Sequence, residues 1–466
     1  MSILGVSAFH HDSAAALIKK GRIIGACHEE RFTRLKYDKS WPQNSIDYLQ
    51  SITNNIKTIA YYDDTKNHDV KPIVKAQFPS AEIIYFDHHE CHAMSSILMT
   101  DWEDCAVMVV DTVGGKYSTS LGVYNKGKFT WLKRFTYPNS LGLFYSSATR
   151  LLGLKPLHDE AQVMAAASFG KPKWADFIED KFIEINQDGY QLKTDLRRGV
   201  GYGCLDWDIA ASVQNVLEKT LLKLAKWLQK ETGMLNLAYS GGVALNCVAN
   251  TFLSKYSNFI NIAIQPASGD AGCALGAAAL LNRPSWTGPL LGYNCNTAID
   301  VEDVANRILK GEIVPLMHGK AEFGPRALGN RSLLSLPTDV NSKKLHILKG
   351  RHTDYWRPWA PICLEEVAKS YFIVYNKKYN FDMLFVSDNI TKKWFNNPLK
   401  NARLQVVNHK TNSTLAKILE ITTKAGYPIL INTSLNAKGK PIVNTVKDFN
   451  NEMANNGSHV YNNGCF

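Results

Sequence analysis

Two apolar runs flank a polar loop in Ile3-Leu4-Gly5-Val6-Ser7-Ala8-Phe9-His10-His11-Asp12-Ser13-Ala14-Ala15-Ala16-Leu17-Ile18. A Gly21-Arg22 turn follows, and a third apolar run begins at Ile23. Short apolar runs separated by polar and glycine turns are typical of β-strands joined by hairpins. The beginning of the chain therefore predicts strand, polar loop, strand, tight turn and strand.

The same pattern returns in Cys105-Ala106-Val107-Met108-Val109-Val110, the loop Asp111-Thr112-Val113-Gly114-Gly115 and the run Ser120-Leu121-Gly122-Val123-Tyr124. A Gly127 turn and a further run, Phe129 to Leu132, complete the second copy. This unit, duplicated, resembles the core of the actin-like ATPase fold. In that fold the hairpin turns hold phosphates through backbone N–H groups and an acidic residue.

Two strand–glycine loop–helix units follow a helical period between residues 206 and 231. The strand Leu235 to Tyr239 leads into Ser240-Gly241-Gly242-Val243-Ala244-Leu245-Asn246, and the strand Ile262 to Ile264 leads to Ser268-Gly269-Asp270. Glycine is needed where backbone approaches a phosphate or a base closely. These units predict an α/β nucleotide site.

A loop rich in Pro, Gly, Asn and Thr, Asn282 to Ala298, is the best candidate for a domain boundary. We expect an α/β domain over residues 1–285 and a smaller α/β domain over residues 286–466. Strands of the second domain are predicted at Ile313 to Met317, Ala360 to Leu364 and Tyr427 to Ile431.

Composition and charge limit the classes of function. The chain has 466 residues, 45% of them apolar and 20% charged, as in a soluble globular protein. No apolar run approaches the ~18 residues that span a bilayer, and no signal peptide is visible. Nine cysteines without a Cys-x-x-Cys pair fit reduced thiols and a cytoplasmic location.

The net charge of +11 lies mostly in the C-terminal third, because residues 300–466 carry 23 basic and 14 acidic residues. Such a field favours polyphosphate ligands or nucleic acid, although solvated lysines alone could produce it.

His88 and His92 lie four positions apart, directly after the strand-like run Ala81 to Phe86. Residues at this spacing share one face of a helix, and two imidazoles on one face can hold a divalent metal. Incidental histidines at a helix start are the alternative.

Six motifs, taken together and in this order, closely resemble the O-carbamoyltransferase family of nodulation, cephamycin and tobramycin biosynthesis over nearly the full length. They are His11-Asp12-Ser13-Ala14, Glu29-Glu30-Arg31-Phe32, His88/His92, Ala321-Glu322-Phe323-Gly324-Pro325-Arg326-Ala327-Leu328-Gly329-Asn330-Arg331-Ser332, Tyr355-Trp356-Arg357-Pro358-Trp359-Ala360-Pro361, and Asn432-Thr433-Ser434-Leu435-Asn436 with Gly439-Lys440-Pro441-Ile442-Val443.

The resemblance implies two coupled sites. A C-terminal YrdC-like domain would join ATP, with Mg²⁺, and carbamoyl phosphate into carbamoyl-adenylate. An N-terminal domain similar to the tRNA threonylcarbamoyl transferases would then pass the carbamoyl group to a hydroxyl acceptor.

Forked guanidinium donors suit the dense negative charge of these substrates, and short polar side chains suit a nucleotide sugar or phosphate. For the C-terminal site the resemblance points to Arg326, Arg331, Arg357, Arg403, Asn432, Ser434 and Asn436. A surface ion pair is the alternative for each arginine.

In the N-terminal domain, His88, His92 and Asp270 would form a two-histidine, one-carboxylate set that suits ferrous iron. Asp270 could instead cap a helix. The nucleotide would lie against Asp111, Gly114, Gly115, Gly241, Gly242, Val243, Asn246 and Gly269. The second hairpin loop has Asp111-Thr112 where the family commonly has Asp-Gly.

His11, with Asp12 beside it, is the candidate base for the acceptor's proton, since the pKa of an imidazole lies near neutrality. A loop histidine bonded to backbone is the alternative. Asp208 is expected either to orient the acceptor or to cap the helix that follows it. Arg31 and Lys36 could contact phosphate or acceptor, although a solvated charge run is the more economical interpretation.

The sequence leaves the acceptor open between a small-molecule or sugar hydroxyl and a hydroxymethylated base in nucleic acid, such as 5-hydroxymethylcytosine. A tRNA threonylcarbamoyl transferase and a non-enzymatic nucleotide-binding module are the alternative functions. The expected oligomer is a monomer or a homodimer, without a membrane partner.

Overall fold

The computed structural model describes residues 2–53, 55–65, 67–186, 188–194, 206–351, 356–374, 383–389 and 402–455. The first part of the chain forms these elements: β1 (Ser2–Ser7), β2 (Ala14–Lys19), β3 (Arg22–His28), α1 (Glu30–Thr33), α2 (Gln43–Ile52), β4 (Thr58–Tyr61), α3 (Lys71–Gln77), β5 (Glu82–Tyr85) and α4 (His88–Ile97).

The second part repeats and extends this pattern with β6 (Asp104–Gly114), β7 (Tyr117–Asn125), β8 (Lys128–Thr136), α5 (Leu141–Leu151), α6 (Glu160–Ala166), α7 (Ala175–Lys181), β9 (Ile183–Ile185), β10 (Tyr190–Leu192), α8 (Trp207–Thr232), β11 (Asn236–Ser240), α9 (Cys247–Tyr256), β12 (Asn261–Ile264) and α10 (Asp270–Leu281).

Both parts build a five-stranded sheet with the same topology. The first sheet has the order β3-β2-β1-β4-β5 and the second the order β8-β7-β6-β11-β12. In each sheet three antiparallel strands are followed by two parallel ones. The predicted duplication is therefore confirmed by the strand order, and the predicted α/β class is confirmed with it.

Helices α4 and α10 hold corresponding places in the two copies, because each follows the last strand of its sheet. They pack closely, and a Cβ atom built on Gly276 of α10 would lie 1.9 Å from the carbonyl oxygen of Cys91 in α4. The absence of a side chain at residue 276 thus lets the two helices approach until their N-terminal ends meet.

The C-terminal part contains α11 (Val301–Leu309), β13 (Val314–Met317), β14 (Arg331–Ser335), α12 (Asp339–Leu348), β15 (Ala360–Leu364), α13 (Glu365–Tyr371), β16 (Phe372–Ile373), β17 (Val386–Asn389), β18 (Ala402–Arg403), β19 (Gln405–Val407), α14 (Ser413–Lys424), β20 (Ile429–Ser434) and α15 (Val446–Asn455). Its main sheet has the order β13-β14-β20-β15-β19.

This sheet has apolar cores of its own, and one of them forms where α11 and α14 pack on it. Across the described residues, we find no helix with the length and apolar character needed to cross a membrane.

Candidate functional site

The N-terminal ends of α4 and α10 bring four metal-ligating side chains together. Asp87 caps α4 by accepting a hydrogen bond from the N–H of Glu90, and the helical spacing then places His88 and His92 on one face. Asp270 is the first residue of α10, and the N-cap position is taken by Gly269, so the alternative that Asp270 is the N-cap is wrong. Asp111, near the end of β6, completes the group, which we call the double-histidine cluster.

The spacing within the double-histidine cluster fits one metal ion. The Nε2 atoms of His88 and His92 both lie 3.5 Å from Oδ2 of Asp111, and they lie 3.7 and 3.5 Å from Oδ1 of Asp270. Ligands bound tetrahedrally at about 2.1 Å from an ion are about 3.4 Å apart. All four side chains are buried, so the cluster is shielded from bulk water.

The electrostatics of the double-histidine cluster also fit a bound metal ion. Burial alone would lower the pKa of His92, but Cys273, Asp111 and Asp270 raise it well above its ordinary value. Burial favours the neutral form of Asp111, yet the imidazoles of His88 and His92, each 3.5 Å away, hold its pKa well below the usual range. Within the described residues, no hydrogen-bond partner satisfies either ring nitrogen of His88 or His92. Orphaned, buried donor atoms of this kind fit a bound cation.

Sequence reasoning missed Asp111 as a possible metal ligand, since it assigned this carboxylate to the nucleotide phosphate. Its duplicated position was the available signal, because Asp111 lies near the end of the first strand of the second copy, and His10 to Asp12 follow the first strand of the first copy. Cys273, one turn into α10, also lies within ligand distance of both histidines. Burial raises the pKa of its thiol to about 12.

The predicted glycines surround this cluster, but several of them make room for protein atoms. A Cβ atom on Gly114 would lie 2.3 Å from the His88 ring, and one on Gly241 would lie 2.2 Å from the carbonyl oxygen of Val110. The N–H of Gly242 donates to Oδ1 of Asp111 at 3.0 Å, and this bond orients the carboxylate.

Four other residues were predicted to contact the nucleotide, and each has a different position in the structure. Gly115 has a φ of 63°, Val243 is buried, and Gly269 is the N-cap residue of α10. Asn246 instead caps α9 through the N–H of Ala249, and its amide exchanges hydrogen bonds with Gln214. Asn246 thus has a structural role at the start of α9, and its nucleotide contact stays a prediction.

His11 and Asp12 lie in contact with each other on the loop after β1. His11 Nδ1 is 3.2 Å from an Asp12 oxygen, and its Nε2 is 3.2 Å from the carbonyl oxygen of Leu157. Burial lowers the pKa of His11, but the hydrogen bond and charge of Asp12 raise it to about 10. The sequence-based expectation of a near-neutral pKa is therefore wrong for His11, and this imidazole is protonated at neutral pH.

The carboxylate of Asp208 does not bond to His11 or Asp12, and its partners among the described residues are two lysines. Its carboxylate pairs with Lys173 at 2.6 Å and accepts the N–H of Lys171. The N-cap of α8 is Asp206, which accepts the N–H of Ile209, so the capping alternative for Asp208 is wrong.

A second site lies in a cavity lined by residues of both parts of the chain, which we call the arginine cavity. Five of the seven predicted residues line it, namely Arg326, Arg357, Arg403, Asn432 and Ser434. Burial, together with the charges of Arg403 and Arg357, lowers the pKa of Arg326 to about 10. Cations crowded in this way are stabilised by an anionic ligand.

Arg331 does not belong to the arginine cavity. It is completely buried, and its guanidinium donates to backbone carbonyl oxygens of Tyr293, His318, Gly319, Asn330 and Asn444. Every nitrogen of the guanidinium is used in these bonds. The prediction that Arg331 binds carbamoyl phosphate or ATP is therefore wrong, because the side chain ties together the backbone around β13 and β14.

Asn432 and Ser434 belong to β20 itself, whereas the sequence placed them after the strand. Asn436 lies in the loop beyond, where its Oδ1 accepts from the hydroxyl of Ser434 at 2.7 Å. Lys349 reaches the same loop and donates to the carbonyl oxygens of Ser434 and Asn436.

Lys349 is a residue that sequence reasoning missed. It is buried, and burial together with the charges of Arg351 and Arg357 lowers its pKa well below the ordinary value. A lone lysine at the end of an amphipathic helix gives no sequence signal, since its partners are almost ninety residues later.

The glutamate- and arginine-rich segment around α1 touches the C-terminal part. Arg31 is buried and donates to the carbonyl oxygen of Gly324 at 2.8 Å, so the interpretation of a solvated charge run is wrong for this residue. Lys36 is exposed and lies 4.6 Å from the centre of the Tyr37 ring.

Comparisons with known proteins identify the family. A model described as carbamoyltransferase N-terminus matches residues 2–70, 50–202 and 194–279, and one described as carbamoyltransferase C-terminus matches residues 305–462. The chain belongs to the carbamoyltransferase family. It is therefore a transferase, which leaves the non-enzymatic alternative without support, and the resemblance inferred from the six motifs is confirmed.

Relatives extend over most of this carbamoyltransferase. An uncharacterized protein of Synechocystis is 30% identical over 96% of this chain and 93% of its own length. Nodulation protein NolNO of Sinorhizobium fredii is 29% identical over 95% of this chain and 76% of its own. A 3'-hydroxymethylcephem-O-carbamoyltransferase of Amycolatopsis lactamdurans is 23% identical over 94% of each chain.

Proposed function

We propose that this carbamoyltransferase is an ATP-dependent O-carbamoyltransferase with two successive active sites. The C-terminal part, acting as a YrdC-like domain, forms carbamoyl-adenylate from ATP and carbamoyl phosphate. The N-terminal part, acting as an actin-like domain, moves the carbamoyl group to a hydroxyl acceptor. The boundary between them lies near residue 285.

The observation that carries the proposal is the lining of the arginine cavity. Its cationic wall comes from Arg326, Arg357 and Arg403, while the opposite wall comes from α6 and from the start of α9, including Met164 and Cys247. An anion bound by the arginines therefore lies against the N-terminal part. This arrangement supports transfer of an intermediate between the parts.

The arginine cavity has the donors that two phosphate-bearing substrates require. Guanidinium groups present paired N–H donors to phosphate oxygens, and the half-buried Ser434 lines the same cavity. Lys349 fixes the carbonyls of Ser434 and Asn436 from behind, so it positions the loop that carries both side chains.

The double-histidine cluster fits a divalent cation, for which we propose Fe²⁺, held by His88, His92, Asp111 and Asp270. Such an ion would supply a Lewis acid for a phosphate oxygen of the adenylate. The N–H of Gly242 keeps Asp111 in place, and the glycine loop that provides it closes one side of the site.

An imidazole base must be neutral before it accepts a proton, whereas His11 is protonated at neutral pH. As the imidazolium beside Asp12, it can orient the acceptor or neutralise its developing charge, and only its neutral form can accept the acceptor's proton. Asp12 therefore controls the pH at which His11 can act as a base.

The acceptor is proposed as a hydroxyl compound, and the charge of the C-terminal third keeps a hydroxymethylated base in nucleic acid among the candidates. Binding of DNA or RNA that weakens steeply with added salt would support the nucleic-acid acceptor. Binding that is absent or independent of salt would count against it.

The test incubates the protein with ATP, Mg²⁺, carbamoyl phosphate, Fe²⁺ and a panel of hydroxyl compounds, including hydroxymethylated nucleosides and DNA. Mass spectrometry then looks for the carbamoyl adduct, and ATP consumption that depends on carbamoyl phosphate reports the first step.

Two variants distinguish the role of the arginine cavity from that of the double-histidine cluster. Arg326→Ala is expected to lose both the ATP consumption and the product, whereas His92→Ala is expected to keep the first and lose the second. Arg150→Ala, at an exposed position of α5, is the matched control for the arginine. Full transfer by His92→Ala would refute the role of the cluster, and unchanged ATP consumption by Arg326→Ala would refute that of the cavity.

A further inference from the structure

A second group of metal-ligating side chains lies beside the double-histidine cluster. His10, Asp63 and His68 each offer one ligand atom, and these atoms lie within 4.8 Å of one another. His10 follows β1 and Asp63 follows β4, so both side chains are at the carboxyl ends of parallel neighbours, where α/β sheets place their ligands.

The carboxylate of Asp63 has the orientation expected of a metal ligand. It is almost completely buried, and its Oδ1 accepts both the N–H and the hydroxyl of Thr65, at 2.9 and 2.6 Å. Its other oxygen, Oδ2, is left to face His10 at 3.3 Å. Outer hydrogen bonds that fix one carboxylate oxygen and leave the other are typical of metal sites.

The two imidazoles are held in place by aromatic neighbours. The His68 ring stacks on Phe9 with centroids 4.9 Å apart, and its buried Nδ1 has no hydrogen-bond partner among the described residues. His10 meets His68 edge to face at 5.6 Å. The separation of 3.3 Å between His10 and Asp63 is long for a hydrogen bond but close to the spacing of two ligands on one ion.

The combined charge of the double-histidine cluster and of the group His10, Asp63 and His68 favours two bound cations over one. The centroids of the His10 and His88 rings are 6.4 Å apart, so the two groups share one pocket of the fold. With neutral imidazoles, Asp63, Asp111 and Asp270 carry three negative charges. One divalent ion would leave a negative excess that repels an anionic nucleotide, whereas two would leave a positive excess that attracts it.

We propose that His10, Asp63 and His68 form a second site for a divalent transition-metal ion, next to the double-histidine cluster. Two imidazoles and one carboxylate suit Fe²⁺, Mn²⁺, Co²⁺ or Zn²⁺ better than they suit Ca²⁺ or Mg²⁺. His10 and His68 are half-buried, so the site can be reached from solvent.

The test is a metal stoichiometry measured on the full chain. Metal-free protein is titrated with Co²⁺, bound metal is counted after equilibrium dialysis, and the visible absorption of bound Co²⁺ reports nitrogen and oxygen ligands. Wild type is expected to bind two equivalents, and His68→Ala and His92→Ala one equivalent each. His409→Ala, an exposed histidine paired with Glu420, is the control and should bind two.

The outcomes separate this proposal from the proposed function. One equivalent in wild type, unchanged in His68→Ala, would overturn the second site and leave the first intact. An unchanged count in His92→Ala would instead contradict the double-histidine cluster. His68→Gln and circular dichroism check that any loss of metal does not come from unfolding, and full binding by His68→Gln and His68→Ala together would also overturn the second site.

Discussion

Arg331 shows at the scale of a residue how a motif can be identified correctly and assigned the wrong role. Its neighbours in the motif, Gly324 to Asn330, form a loop that Glu322 holds by accepting the N–H groups of Leu328, Asn330 and Arg331. Glu322 and Arg331 therefore bond to the backbone, and Arg326 is the charged residue of the motif that lines the arginine cavity.

Replacing Arg331 should consequently cost stability before it costs chemistry. Arg331→Ala leaves several buried carbonyl oxygens without donors, and we expect a loss of about 3 kcal/mol or more in the free energy of unfolding. Urea denaturation followed by circular dichroism measures it, with Arg150→Ala expected to stay within about 0.5 kcal/mol of wild type. A stable Arg331→Ala protein that no longer binds nucleotide would contradict the structural role.

The pH dependence of transfer is the second prediction for single residues. The pKa of His11 is raised from its ordinary 6.5 to about 10, so the imidazole stays protonated between these values. If the neutral form is the base, the transfer rate rises with pH up to about 10. Asp12→Asn removes the raising contact, so the rise should move to lower pH.

The measurement is the pH profile of kcat/KM for the carbamoylated acceptor. ATP consumption dependent on carbamoyl phosphate serves as the internal control, because the arginine cavity does not contain His11 and its profile should not move. Identical transfer profiles for wild type and Asp12→Asn would exclude His11 as the base.

At the scale of elements, the site depends on the contact between α4 and α10. These helices carry the histidines and Asp270 on different copies of the duplicated unit, so their separation sets the ligand geometry. Gly276→Ala places a Cβ against Cys91, and we expect a loss of roughly 1–3 kcal/mol in stability together with weaker cation binding.

The control for this change is Gly269→Ala, where an added Cβ would meet its nearest neighbour, Leu245, only at 4.0 Å. Thermal unfolding and Co²⁺ titration compare the two variants. Equal metal affinity for Gly276→Ala and wild type would mean that the helix contact does not determine the ligand geometry.

The same elements show what the sequence could and could not predict. The duplicated strands, the helix with His88 and His92 and the two glycine loops follow from local periodicity and turn residues, and the structure confirms them. Asp111, Lys349 and the true role of Arg331 depend on contacts between residues far apart in the chain. Local patterns carry no information on which distant carbonyl or imidazole a side chain will meet.

At the scale of the whole molecule, polar contacts join the two parts of the chain. Lys320 donates to the carbonyl oxygen of Ile24, and Arg31 donates to that of Gly324. Arg34 donates to the carbonyl oxygens of Pro441 and Ile442 and pairs with Glu452. These bonds hold the N-terminal segment around α1 against the loop that follows Ser434 and Asn436.

Loss of Arg34 should therefore uncouple the two reactions more than it slows either. In Arg34→Ala the contact beside the loop after β20 is weakened, so adenylate formed in the arginine cavity can reach solvent and hydrolyse before transfer. We expect ATP consumption within about twofold of wild type and a several-fold fall in carbamoylated product per ATP, a ratio that is near one when transfer is tight. Arg150→Ala should keep the wild-type ratio. An unchanged ratio in Arg34→Ala, with both rates measured in the same reaction, would show that this contact is not needed to keep the intermediate between the sites.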